Sequence, residues 1–136
     1  MNGKVVLVTG GSSGIGRASA LAFAKKGSKV VVNANMNIEG GEETVRLIKE
    51  TGGEAIFVKA DASKIAEVDT MIQKTVKAYG RLDCAFNNAG VVDVPSISAF
   101  ISTKTADYIE KEWDQQFPFC LQPNIFNVTY RDLALH

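Results

Sequence analysis

Four short apolar runs recur along the first two-thirds of the chain: Lys4 to Thr9 (KVVLVT), Lys29 to Asn33, Ala55 to Lys59 (AIFVK) and Leu82 to Phe86. Each is too short for a helix and all but the last are rich in β-branched residues, so each reads as a buried strand. The intervals carry helical spacing instead. Ile15 to Lys26 places Ile15, Ala18, Ala22 and Phe23 on one face, and Gly27 supplies a stop. Glu42 to Glu50 repeats the pattern with Val45 and Ile48, closed by Gly52-Gly53. A third helix, capped by Asp61 or Ser63, runs to about Tyr79 with Ile65, Val68, Ile72 and Val76 inward, and Gly80 ends it. Strand and helix alternating at this rhythm imply right-handed βαβ crossovers, a parallel sheet and an α/β fold.

Beyond Val91 the pattern weakens. Val91 to Lys104 reads as a long loop containing Pro95. Thr105 to Phe117 suits a helix capped by Asp107, with Tyr108, Ile109 and Trp113 along one side. Pro118 and Pro123 then interrupt any helix, and Asn124 to Tyr130 suits an extended segment. The chain is therefore read as a single domain over residues 1–136, with an atypical tail from Pro118 to His136.

Composition narrows the class. The 136 residues suffice for one core and leave little room for two. Hydrophobic residues make up 46% and charged residues 22%, a globular mix. Fifteen basic residues balance 15 acidic ones, so there is no footprint for nucleic acid or an acidic membrane surface. Mean hydropathy is +0.02, and no apolar run approaches the ~18 residues of a membrane span. Met1-Asn2-Gly3-Lys4 leads straight into a strand, so no signal peptide is expected. Cys84 and Cys120 show neither metal-ligand spacing nor disulfide density, which fits a reducing cytoplasm and no metal site. The sequon Asn127-Val128-Thr129 is read as chance without a secretory signal.

The loop after the first strand is Thr9-Gly10-Gly11-Ser12-Ser13-Gly14-Ile15-Gly16. Glycines remove the Cβ atoms that would keep a pyrophosphate from the backbone. The helix that follows offers unpaired N–H groups and its positive dipole end. Gly10 suits the turn off the strand, Gly14 and Gly16 the close helix start, and Ser12 and Ser13 can bond phosphate or ribose. The spacing is not G-x-G-x-x-G, and a plain strand-to-helix turn would also use glycine.

This loop resembles the TGxxxGIG motif of the short-chain dehydrogenase/reductase family, and Asn87-Asn88-Ala89-Gly90 resembles that family's NNAG motif. Asp61 sits after the third strand, where the family carries an aspartate near the adenine ring. The likeness extends from Lys4 to about Phe117 and includes Glu112-Trp113-Asp114. It implies a Rossmann-like, doubly wound parallel sheet, truncated to about four strands in the order 3-2-1-4. It implies a nicotinamide dinucleotide as ligand, with Gly10, Gly14 and Gly16 along the pyrophosphate and the Ile15 backbone close by. Asp61 and Ala62 would edge the adenine, Asn88, Ala89 and Gly90 would flank the ribose, and Asn87 would tie neighbouring strands.

The choice of cofactor rests on the end of the second strand. An acid there takes the ribose hydroxyls of NAD, whereas a basic residue nearby takes the 2′-phosphate of NADP. Here Ala34 or Asn35 occupies the acid's place, and no lysine or arginine follows in Val32 to Asn37. Arg17 is the nearest candidate for a phosphate and equally a surface helix residue. NAD or NADP remains open, with a slight lean to NAD.

The resemblance implies hydride transfer between nicotinamide and an alcohol or carbonyl carbon, using a tyrosine, a lysine four residues on, a serine and an asparagine. No catalytic residue can be assigned. Asp83, Glu112 and Ala134 stand four residues after Tyr79, Tyr108 and Tyr130, so no Y-x-x-x-K exists. Cys120 and Pro123 fall on the family's relay asparagine and its following glycine. The chain is then a fragment, a product whose frame or splice departs near Phe117, or a short protein that has lost catalysis. It is expected to be inactive alone, and a small-molecule substrate belongs only to a full-length parent. The alternative is a non-catalytic nucleotide-binding or subunit-interaction module, pairing as a homo-oligomer through an uncovered sheet edge.

Overall fold

Strands with apolar residues on both faces must be covered on both, and the helices between them do this. The computed structural model describes residues 1–89, in the order β1 (Val5–Thr9), α1 (Gly14–Lys25), β2 (Lys29–Ala34), α2 (Ile38–Glu50), β3 (Glu54–Lys59), α3 (Ile65–Tyr79) and β4 (Cys84–Asn87). The four strands form one parallel sheet in the order β3-β2-β1-β4, as expected. In the register, Val8 lies beside Val32 on one side and Phe86 on the other.

Alternate residues feed two cores. Val5, Leu7, Val31 and Val58 point toward Val68, Met71 and Ile72 of α3. Val6, Val8, Val30 and Val32 point toward Ala20 and Ala24 of α1 and Val45 and Ile48 of α2. The sheet is thus doubly wound. Each fully buried Val, Leu or Ile contributes roughly 1.5–3 kcal/mol relative to exposure. Among the described residues, no helix is long and apolar enough to cross a membrane.

Two helix faces differ from the periodicity reading. In α1 the inward stripe is Gly16, Ala20 and Ala24, while Ile15 is 73% exposed and Ala18 and Ala22 also face outward. Small residues at i, i+4 and i+8 let α1 lie close to the sheet, and a stripe without large side chains is easily misread. In α3, Met71 and Thr75 are buried with Val68 and Ile72, whereas Ile65 is exposed and Val76 only half-buried. The Thr75 hydroxyl donates to the Met71 carbonyl at 2.9 Å, which satisfies it inside the core.

Several boundaries also move, three of them for identifiable reasons. Helix α2 starts at Ile38 rather than Glu42, because the Asn37 side chain accepts the Gly40 N–H at 3.0 Å and caps it. Helix α3 starts at Ile65 after Lys64, which makes no side-chain cap. Asp61 closes a turn upstream instead, accepting from the Ser63 N–H at 3.0 Å and the Ser63 hydroxyl at 2.6 Å. Strand β4 begins at Cys84 rather than Leu82, and Gly80, at φ +76°, ends α3 in the left-handed region. The loop expected over Val91 to Lys104, the helix over Thr105 to Phe117, the segment Asn124 to Tyr130 and the tail from Pro118 lie outside the described residues.

The lower end of the sheet is pinned by Asp83. Its carboxylate accepts the Val5 N–H at 2.9 Å and lies 3.7 Å from Lys4 Nζ, with Arg81 also hydrogen-bonded to it. Its own N–H donates to the Val5 carbonyl at 2.9 Å. Burial pushes the carboxyl up, but the Arg81 and Val5 hydrogen bonds and the Arg81 and Lys4 charges outweigh it and hold Asp83 below the usual carboxylate range. The stabilisation is then fully present above the unfolded value of about 3.9 and is lost as pH falls through the lower folded value. Urea unfolding midpoints taken between neutral and strongly acid pH should fall more steeply for the parent than for Asp83→Asn. Parallel curves would remove Asp83 from this role.

Candidate functional site

The site grows from one turn at the carboxyl ends of the strands. Leaving β1, the chain reverses at Gly10, with φ +65°, and enters α1 through Gly14, with φ +52°. The close contact comes at Gly16, where a Cβ would sit 2.0 Å from the Gly10 carbonyl oxygen. The first turn of α1 therefore lies directly on the loop that precedes it. Gly11 donates its N–H to the Asn33 carbonyl at 2.9 Å, which anchors the loop to β2.

From Ser12 to Gly16, the N–H groups have no acceptor among the described residues. The first helical bond of α1 is Arg17 N–H to the Ser13 carbonyl at 3.1 Å. Ser13, the N-cap residue, makes no side-chain cap, and the first turn carries no acid. The positive end of the helix dipole is thus left open, a natural seat for an anion.

A second loop closes on the first. The Thr9 hydroxyl accepts the N–H groups of Asn88 and Ala89, each at 3.1 Å. Asn88 Nδ2 donates to the Gly10 carbonyl at 3.3 Å. Thr9 is 2% exposed, so its hydroxyl is held on the buried side of this contact, where an unmade bond is costly.

Between these loops and the end of β2 opens a cavity of about 710 Å³. One wall is the glycine loop, with Gly10, Ser12, Ser13, Gly14 and Ile15. A second is the end of β2, Asn33 to Asn37, and a third is Ala60 to Ser63, with Asn88 and Ala89 beside them. No lysine or arginine is among these residues. The Ser63 hydroxyl and N–H and the Lys64 charge hold the Asp61 carboxyl below its ordinary range against a smaller opposing effect of burial, so it is ionised at neutral pH. The cavity therefore has a donor-rich end that suits an anion and, across it, a carboxylate that suits a hydrogen-bond donor.

A model of the family described as short chain dehydrogenase matches residues 4–129. The chain belongs to this family. Its relatives include an uncharacterized oxidoreductase of Thermotoga maritima, 50% identical over 70% of this chain and 37% of that protein. The short-chain dehydrogenase/reductase homolog YusS of Bacillus subtilis is 43% identical over 65% of this chain and 81% of its own length. Among solved structures, a metagenomic short-chain oxidoreductase in complex with NADP superposes with a TM-score of 0.80 at 28% identity, covering 97% of this chain and 57% of its own. The chain thus spans well under half of the Thermotoga relative and little more than half of that solved structure.

The two short-chain dehydrogenase motifs do meet. Gly10, Ser12, Ser13, Gly14, Ile15, Asn35, Asp61, Ala62, Asn88 and Ala89 all border the cavity. Gly16 stands behind the loop, buried against the Gly10 carbonyl, and Gly90 lies outside the described residues. Asn87, expected to tie strands, is exposed and its side chain makes no hydrogen bond among the described residues; Thr9 and Asn88 make the tie instead. Met36, Asn37 and Ser63 were not foreseen at the cavity. The available sequence signal is an apolar Met36 set between Asn35 and Asn37 just past the end of β2; in the fold it is 89% exposed. Arg17 does not border the cavity; its guanidinium bonds the Ser12 carbonyl at 2.7 Å, the Gly40 carbonyl at 3.0 Å and Thr44 Oγ1 at 3.0 Å.

Thr9→Val keeps the side chain's shape, strands the Ala89 N–H and leaves the Asn88 N–H only its 3.1 Å bond to the Phe86 carbonyl. It should lower unfolding free energy by about 1–3 kcal/mol, with Thr9→Ser close to the parent. Equal urea midpoints for the parent and Thr9→Val would show that the hydroxyl does not hold the two loops together.

Proposed function

We propose that the chain binds a nicotinamide dinucleotide, as the cofactor-holding part of an oxidoreductase that moves a hydride between nicotinamide and an alcohol or carbonyl carbon. The observation that carries this reading is the run of unpartnered N–H groups from Ser12 to Gly16 at the open end of α1, facing a cavity with an ionised carboxylate across it. The pyrophosphate would take the N–H groups. Asp61 would accept from the adenine amino group, and Asn88 and Ala89 would border the adenosine ribose. Ile15 and Met36, at 73% and 89% exposure on the cavity wall, would be covered by the ligand. When bound, the dinucleotide supplies the hydride donor or acceptor; the chain's residues hold and orient it.

No turnover is expected from this chain alone. Tyr79 is the one tyrosine within the described residues, and it lies under Lys29, at the amino end of β2 and away from the cavity. Burial and the Glu54 charge push its phenol up, the wrong direction for a proton donor and acceptor near neutral pH.

For the choice of cofactor, the solved short-chain oxidoreductase holds NADP, so the slight lean to NAD gains nothing from the comparison. The end of β2 carries neither an acid to repel a 2′-phosphate nor a base to attract one. Asn35 can bond ribose hydroxyls and tolerate a phosphate. The cavity is proposed to accept both dinucleotides.

Calorimetric titration of the 136-residue chain should give saturable binding of NADH and NADPH, weakened about tenfold or more in Gly14→Asp, which sets a negative charge at the anion seat. No heat from either ligand, or a Gly14→Asp chain that binds like the parent, would end the proposal. Separately, Asn35→Asp should lower NADPH affinity roughly tenfold relative to NADH by placing like charges together; an unchanged ratio would place the 2′-hydroxyl elsewhere.

A further inference from the structure

We infer that Arg17 is a positioning residue that sets the orientation of the anion-binding loop from behind, without touching the ligand; this rests on the dinucleotide reading above. The sequence offers Arg17 as a phosphate ligand or as a surface helix residue, and its contacts match neither. Its Nη2 donates to the Ser12 carbonyl at 2.7 Å and the Gly40 carbonyl at 3.0 Å, and its Nε donates to Thr44 Oγ1 at 3.0 Å. Thr44 is fully buried, and its hydroxyl lies 2.8 Å from the Gly11 carbonyl and 3.0 Å from the Gly40 carbonyl. A hydroxyl has one proton to donate. With Arg17 Nε on the Thr44 oxygen and Nη2 on the Gly40 carbonyl, the Thr44 proton goes to Gly11, the nearer of its two acceptors.

The consequence follows from peptide geometry. In a trans peptide the carbonyl and the next N–H point in opposite directions, and the chain has no cis bonds among the described residues. Holding the Gly11 carbonyl on Thr44 turns the Ser12 N–H away from α2. Holding the Ser12 carbonyl on Arg17 does the same for the Ser13 N–H. Those two groups begin the unpartnered run beside the cavity. Without Arg17, the flexible Gly10-to-Gly14 turn could rotate these peptides and present carbonyl oxygens to an anion. Arginine suits the task because one planar fork reaches three acceptors at fixed angles, which a lysine ammonium does not do.

The test is a ligand series on the parent, Arg17→Lys, Arg17→Ala and Thr44→Val, read by calorimetry with the unfolding midpoint recorded for each. ADP-ribose, NADH and NADPH carry the pyrophosphate; adenosine does not. Both Arg17 variants should lose about tenfold in affinity for all three pyrophosphate ligands, with Thr44→Val shifted the same way and adenosine affinity unchanged. A loss confined to NADPH would make Arg17 a direct ligand of the 2′-phosphate and overturn the inference. So would full affinity in Arg17→Lys, which would assign the effect to charge alone. Lower unfolding midpoints with unchanged affinity would leave only a packing role and also overturn it. Should an Arg17 variant fail to fold, Thr44→Val decides by the same pattern. A parent that binds adenosine but no pyrophosphate ligand would defeat the dinucleotide reading itself, whereas a binding parent with unaffected variants would defeat only the role of Arg17.

Discussion

The missing Cβ of Gly16 is the constraint on which the site depends. With hydrogen in its place, the first turn of α1 rests on the Gly10 carbonyl; any side chain would meet that oxygen at 2.0 Å. The approach fixes where α1 begins and aims its unpaired N–H groups across the end of the sheet. It also explains the rest of that helix's inner face, since Gly16, Ala20 and Ala24 keep the same short distance along its length. The Gly10 carbonyl then receives Asn88 from the far loop, so the two motifs become neighbours through a backbone oxygen.

Around that contact, side chains act mainly on backbone. Thr9 accepts two N–H groups from the β4 loop, Asp83 takes the first N–H of β1, and Asn33 donates to the Val58 and Ala60 carbonyls at 3.0 and 3.1 Å. Each bond crosses between segments remote in sequence; those of Thr9 and Asn33 fix the strand ends that frame the cavity, and that of Asp83 fixes the opposite end of the sheet. Electrostatically the result is polarised although the chain is neutral. Helix-end N–H groups stand at one side and the Asp61 carboxylate at the other, which is the asymmetry a ligand with an anionic centre and a donor-bearing ring would exploit.

The strands were legible because nothing but a doubly covered strand explains runs such as Val5 to Val8 and Val30 to Val32. The strand order was not in the pattern itself; it came from the motif resemblance. Most of the cavity wall was likewise legible through the two glycine motifs. The inward face of α1 was not, since alanines on either side of that helix carry no sign of which side is buried, and Ile15 drew the reading to the wrong one. The start of α2 was hidden because Gly40 and Gly41 look like helix breakers, yet a Cβ at Gly41 would lie 2.2 Å from Phe57. Arg17, Thr44 and Thr9 are invisible as partners because, apart from the Arg17–Thr44 bond, they pair with backbone atoms, and only tertiary folding brings any of these groups close.

The central claim is that the N–H groups from Ser12 to Gly16 are the seat of a pyrophosphate. Amide proton–nitrogen spectra recorded while ADP-ribose is titrated into the protein address those groups one by one. The largest saturable shifts are expected at Ser12, Ser13, Gly14, Ile15 and Gly16, with a second group at Asp61 to Ser63. Shifts centred instead on the separate cavity of about 750 Å³ around Gly27, Gly52 and Gly53, at the opposite ends of the strands, or no saturable shift at all, would contradict it.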